Sequence, residues 1–202
     1  MQEIIAAAVE YIKALFADNS DGHGADHSLR VYKNALLIAA TEQQPNIDVV
    51  SLAALLHDVD DRKLFRTENN ANARNFLEGQ NITSEVINYI CDVINSVSFS
   101  KNKSTRPATI EGQIVQDADR LDAIGAIGIV RAFSYGGKHG IAMEDSILHF
   151  HSKLLLLQKL MNTKKAMDIA QSRHIFMQSF LEELNMELRE PTCESLTAIE
   201  KD

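Results

Sequence analysis

Apolar residues at Val49, Leu52, Ala53, Leu56 and Val59 recur at three- and four-residue intervals, which predicts a buried helix. The run LAALL ends without transition in His57-Asp58-Val59-Asp60-Asp61, so a hydrophobic element leads straight into a histidine and three carboxylates. Helical spacing governs the rest of the chain as well. A first amphipathic helix is expected over residues 1–16, with Ile4, Ala7, Ala8, Tyr11, Ile12 and Leu15 on one face. After the polar loop NSDGHG at 19–24, a second helix carries Val31, Ala35, Leu36, Ile38 and Ala39, with His27 in its first turn. Pro45 and Asn46 separate it from the buried helix, which Asn46 or Asp48 can cap. Helical spacing resumes near Ala71, and again through Val86, Ile87, Ile90 and Val93 behind a Thr83 or Ser84 cap. The last third predicts two long helices. Ile147, Phe150, Leu154, Leu157 and Met161 face the core in one; Ala166, Ile169, Phe176, Met177, Phe180 and Leu184 do so in the other, capped by Asn162 or Thr163. Residues 96–107 read as a surface connection with a lid as the alternative, and the chain from Glu187 onward as a tail.

Composition narrows this picture. A chain of 202 residues with 45% hydrophobic and 24% charged content suits one globular domain. A net charge of −8 and a pI near 5.4 leave no footprint for nucleic acid polymers or an anionic membrane surface. Cys91 and Cys193 form neither a C-x-x-C pair nor a disulfide framework, which points to a reducing cytoplasm. Glu3, Glu10 and Lys13 argue against a signal peptide or membrane anchor at the start.

The candidate chemistry begins at His57-Asp58. A buried imidazole beside carboxylates needs hydrogen bonds, an ion pair or a metal, and of these only a metal uses all the groups together. The competing reading is a histidine favoured by the dipole at a helix C-terminus, with acidic residues beyond it facing water. His23 and His27 stand four apart, but Gly22 and Gly24 disfavour a helical His23, leaving His27 as the better ligand and His23 as a contact either to a metal ligand or to substrate. Further on, Gln116, Asp119 and Asp122 recur every three residues with Asp117 between them, and spacing does not settle which Asp turns inward. Gly125 and Gly128 suggest close helix contact there.

His27, then His57-Asp58, then the element Asp117-Ala118-Asp119-Arg120-Leu121 resembles the H…HD…D pattern of the HD-domain metal-dependent phosphohydrolases. The segments DHSLRV, LAALLHDVDD and DADRLDAIGAIGIVRAF strengthen the likeness, and HFHSKLLLLQKLMNTKKAMDIAQSRHIFMQSFLEEL is similar to a bacterial branch of the family. The resemblance implies an all-α, single-domain HD helical bundle over residues 1–202, with a core of about 20–135 and a C-terminal helical part of about 143–188. It implies one divalent cation held by His27, His57, Asp58 and Asp119. Asp119 is preferred because Ala118-Asp119-Arg120-Leu121 fits the family's A-D-x-L context, which leaves Asp117 to orient a ligand.

Mixed N and O ligation is compatible with Mn2+, Fe2+, Co2+, Ni2+ or Zn2+, two imidazoles make Mg2+ a less natural first choice, and Mn2+ is the ion expected. Asp61, four residues after His57 and acidic in similar proteins, is the general acid/base candidate beside Asp58, while Asp60 reads as exposed charge. Lys63, Arg120 and Lys153 are the cations expected at a phosphorylated substrate, with Arg30, Arg131 and Arg173 ranked below them. The expected partner is a nucleotide, and a homodimer is left open. The expected reaction is nucleoside triphosphate pyrophosphohydrolysis by a metal-activated water, with a nucleoside monophosphate phosphatase or a non-catalytic nucleotide-binding module as alternatives. A cyclic-dinucleotide phosphodiesterase is disfavoured because no proline follows His57-Asp58 in an HDxxP arrangement.

Overall fold

Asn46 caps a helix whose every residue from Val49 to Leu56 is buried, and this element forms the centre of the molecule. The computed structural model describes residues 1–17, 24–62, 64–98, 102 and 105–188. His23, Lys63, Cys193, part of the 96–107 connection and the chain beyond Leu188 lie outside the described residues. Among those described there is no strand, and the fold is all-α. The helices are α1 (Gln2–Leu15), α2 (Ala25–Ala39), α3 (Ile47–Leu56), α4 (Ala71–Gly79), α5 (Ser84–Val97), α6 (Ile110–Asp122), α7 (Gly125–His139), α8 (Met143–Ser152) and α9 (Lys164–Glu187), with a 3₁₀ segment at Leu154–Leu160. None of them is long and apolar enough to cross a membrane.

Helix α3 is apolar all round because α1, α2, α5 and α6 pack around it. Helix α2 lies against both α3 and α6, and these three elements carry the predicted ligands. Thr109 caps α6 by accepting from the Gly112 amide at 3.1 Å. Helix α7 then begins hard against the end of α6. A Cβ at Gly128 would stand 2.3 Å from the Ala123 carbonyl oxygen, and Gly125 adopts a φ of +79°.

Three expectations change. The first of the two long C-terminal helices stops at Ser152, and the chain continues as the 3₁₀ segment after Lys153 leaves helical geometry (φ −139°, ψ −60°). In that tighter winding residues three apart eclipse, so Leu154 and Leu157 go inward while Leu156 is left half exposed. Phe176, expected in the core, is likewise exposed at the surface of α9. Asp60 is not idle surface charge. Its carboxylate accepts from the Asn72 and Ala73 amides at 2.9 and 3.0 Å, capping the first turn of α4 from the far end of the connection that precedes it.

Candidate active site

Helix α3 ends at Leu56, and His57 occupies its C-cap, where the backbone is still right-handed but the chain is about to turn. His57 Nδ1 donates to the Ala54 carbonyl at 2.9 Å, one of the carbonyls the helix end would leave without a partner. That bond fixes the neutral tautomer and leaves Nε2 as an acceptor. His27, in the first turn of α2, is 3% exposed and donates from Nδ1 to Asp122 Oδ2 at 2.7 Å, so its Nε2 is an acceptor as well. The two Nε2 atoms stand 3.2 Å apart.

Carboxylates surround this pair. Asp58 oxygens lie 3.4 Å from His27 Nε2 and 3.5 Å from His57 Nε2. Asp119 Oδ1 lies 3.4 Å from His27 Nε2 and 3.8 Å from His57 Nε2. One ligand atom from each of His27, His57 and Asp119 falls within 4.8 Å of the others. Two lone pairs facing each other among carboxylates require a positive charge between them. Burial opposes protonation of His27, but its hydrogen bonds to Asp119 and Asp122 and the charge of Asp58 outweigh burial and push it up to about 9. Burial likewise raises the Asp119 carboxyl, yet its hydrogen bond with His27 and the neighbouring imidazoles hold it below its usual value. A divalent ion fits the same place. Neighbouring ligands at about 2.1 Å from an ion lie about 3 Å from each other, close to the imidazole separation. Both imidazoles also have their second nitrogen tied to an acceptor, as metal ligands require.

Asp122, which holds His27, is the residue that sequence reasoning left without a role. It is 2% exposed and accepts from Arg30 Nε at 2.6 Å and Nη2 at 3.0 Å, and from Arg131 Nη1 at 2.6 Å. Although burial works against ionisation, these donors keep its carboxyl well below the usual range. The signal was present in the three-residue step from Asp119 to Asp122, which puts both on one face of α6.

Asp117 instead faces away from the cluster. Fully buried, it accepts from the Asn162 and Thr163 amides and from both of their side chains at 2.8–3.0 Å, holding the start of α9. The expectation that Asp117 orients a metal ligand is therefore overturned, because its oxygens are occupied by those donors from residues 162–163.

The cluster opens into a cavity of about 650 Å³, within the range of small-molecule sites. Asp58, Asp61, Arg120 and Lys153 all line it, as do Arg62, Arg131 and His149. Helix α3 does not continue to Asp61. Asp61 is reached through a tight turn in which its amide donates to the Asp58 carbonyl at 3.0 Å, and this turn still brings it to the cavity wall. Arg120 is buried and donates from Nη1 to the Leu160 carbonyl, so it is anchored to the 3₁₀ segment. Lys63 and His23 lie outside the described residues.

Ligand atoms converging in the wall of such a cavity, on a helical scaffold, suit a metal centre open to a small-molecule substrate. Residues 24–124 match the HD domain, and the chain belongs to the HD-domain family of metal-dependent phosphohydrolases. It is 36% identical over 186 residues to YpgQ of Bacillus subtilis, covering 88% of this chain and 90% of that protein. The crystal structure of YpgQ in complex with ADP is similar with a TM-score of 0.81 at 32% identity, covering 93% of this chain and 96% of that one. An HD-superfamily hydrolase from Bacillus thuringiensis gives a TM-score of 0.76 at 36% identity, covering 92% and 97%.

Proposed function

We infer that this phosphohydrolase acts on nucleotides and cleaves nucleoside triphosphates to the monophosphate and pyrophosphate, with Mn2+ as its metal. The observation that carries the reading is the juxtaposition of two imidazole Nε2 atoms 3.2 Å apart with a cavity of nucleotide-accommodating size. The similarity to YpgQ, whose structure holds ADP, supports the substrate class.

His27, His57, Asp58 and Asp119 are the proposed metal ligands. A divalent ion, when bound, lowers the pKa of a coordinated water and polarises the phosphoryl group under attack. The protein supplies position and protons. Asp122 and the Ala54 carbonyl fix both imidazoles so that Nε2 faces the reacting centre. Asp61, on the cavity wall, takes the proton of the attacking water. As the new O–P bond forms at the α-phosphorus and the α–β bridging bond breaks, pyrophosphate leaves with its charge balanced by Arg120 and Lys153. Lys63 and His23 are kept as further substrate contacts on sequence grounds.

The test is a panel of nucleoside mono-, di- and triphosphates incubated with full-length protein and Mn2+, Mg2+, Co2+ or Ni2+, with the products separated and identified. Pyrophosphate from triphosphates is expected, reduced at least about a hundredfold in Asp58→Ala. Release of orthophosphate from monophosphates alone would make the enzyme a nucleotidase. No release from any substrate would leave a nucleotide-binding module.

A further inference from the structure

Arg131 is an arginine at the charged end of the cavity to which the proposed hydrolysis assigns no substrate contact. It lies in the second turn of α7 and lines the cavity wall with its side chain 21% exposed. Only Nη1 is engaged among the described residues, at 2.6 Å from Asp122 Oδ2 and 3.4 Å from the Asp122 carbonyl. The same nitrogen passes 3.2 Å from His27 Nδ1, which donates to Asp122 and has no lone pair to offer. Nε and Nη2 of Arg131 have no hydrogen-bond partner among the described residues.

Arg30 shows what that edge of a guanidinium does when it is filled. Its Nε and Nη2 grip both oxygens of Asp122 side-on, at 2.6 and 3.0 Å, from outside the cavity. Two arginines thus share one carboxylate, but one presents its fork to Asp122 and the other does not. The close approach allowed by Gly128, three residues before Arg131, is what brings the α7 arginine to the end of α6.

We propose that Arg131 is a phosphate-binding residue, whose Nε/Nη2 edge takes two phosphoryl oxygens of the substrate while Nη1 stays on Asp122. The planar fork matches a phosphate bidentately, which a lysine cannot do. Because Asp122 already holds the guanidinium, little side-chain freedom is lost on binding. The anion is thereby held in register with His27 through a single shared carboxylate. This inference rests on a phosphorylated substrate but not on that substrate being a nucleotide.

The experiment is calorimetric titration of full-length protein with inorganic pyrophosphate, both metal-free and after loading with Mn2+ and removal of excess ion. Arg131→Gln is expected to weaken pyrophosphate binding about tenfold or more, Arg131→Lys to recover only part of it, and Arg30→Gln to change it by less than about threefold. If Arg131→Gln fails to fold, as judged by circular dichroism, Arg131→Lys carries the test. Equal losses in Arg131→Gln and Arg30→Gln would reduce Arg131 to a prop for Asp122 and overturn the proposal. So would pyrophosphate affinity unchanged in both Arg131 variants, or no pyrophosphate binding by either form of the wild-type protein. A wild-type protein that binds pyrophosphate through Arg131 yet hydrolyses no nucleotide would sink the nucleotide reading and leave this one standing.

Discussion

Helices α2, α3 and α6 are built on different terms from the region formed by α7, α8 and the 3₁₀ segment. In α3 eight consecutive residues from Val49 to Leu56 are buried, whereas α8 buries only Ser146 and Phe150 and leaves Met143 and Leu148 exposed. Of the proposed metal ligands, His27 and Asp119 stand on the inner helices and His57 and Asp58 in the turn directly after α3, while the outer region supplies much of the cavity wall, including Tyr135, His149 and Lys153. Close packing transmits small displacements, so ligands on the inner helices are held to a narrow geometry. A wall with fewer buried contacts opens locally at lower cost and tolerates change. Precision and adaptability are therefore assigned to different parts of one cavity.

The comparison is broken most easily by its largest expected effect. Leu121 is fully buried on α6 and Leu156 half exposed on the outer segment. Leu121→Ala should cost about 2–5 kcal/mol, while Leu156→Ala should stay within about 0.5 kcal/mol, both measured by urea denaturation. Similar losses would mean that the two regions share one packing regime.

A sharper form uses the two aspartates of α6 that face in opposite directions. Asp122→Asn keeps an acceptor for His27 but abolishes the charge held by Arg30 and Arg131, and is expected to weaken Mn2+ binding about 10–100-fold. Asp117→Ala strips the start of α9 of its acceptor and should cost about 1–3 kcal/mol of stability with metal affinity unchanged. Titration calorimetry and thermal melts on both variants check the pair. Loss of metal affinity in Asp117→Ala would restore the role that its geometry denies it.

These two aspartates also show where the sequence was legible. Burial of α3 followed from apolar spacing, whereas the convergence of His27 with His57-Asp58 was implied by the resemblance to the H…HD…D pattern. Asp119 was separable from Asp117 only by family context, because a helical repeat says which residues share a face and not what stands opposite. The partners of Asp117 lie 45 and 46 residues away at Asn162 and Thr163, beyond the reach of any local pattern. Arg131 was underrated for the same reason. Its importance depends on a carboxylate nine residues back across a helix break at Ala123–Ile124, where the register of α6 no longer predicts direction. The outer region defeated periodicity differently, since a leucine run with no polar face fits an α-helix and a 3₁₀ segment equally well until Lys153 breaks the winding.

The last effect expected is one of pH, and it separates the inner cluster in its metal-free and metal-loaded forms. In the metal-free protein His27 is raised from 6.5 to about 9, since its contacts with Asp119, Asp122 and Asp58 outweigh the opposing effect of burial. The folded state binds that proton more tightly than the unfolded chain, so the stabilisation is complete below pH 6.5 and is lost as pH rises through about 9. Asp122 has the opposite sign. Its carboxyl is lowered from 3.8, so its contribution is present above that value and disappears on acidification. Melting temperatures taken in chelator should therefore decline between pH 6.5 and 9. Loading with Mn2+ requires Nε2 of His27 without its proton, so apparent metal affinity should climb over the same interval, and the melting temperature of the loaded protein should not follow the metal-free decline. A metal-free protein whose melting temperature is flat from pH 6.5 to 9 would show that the carboxylates around His27 do not hold a proton there, and that the cluster is less tightly drawn together than its distances imply.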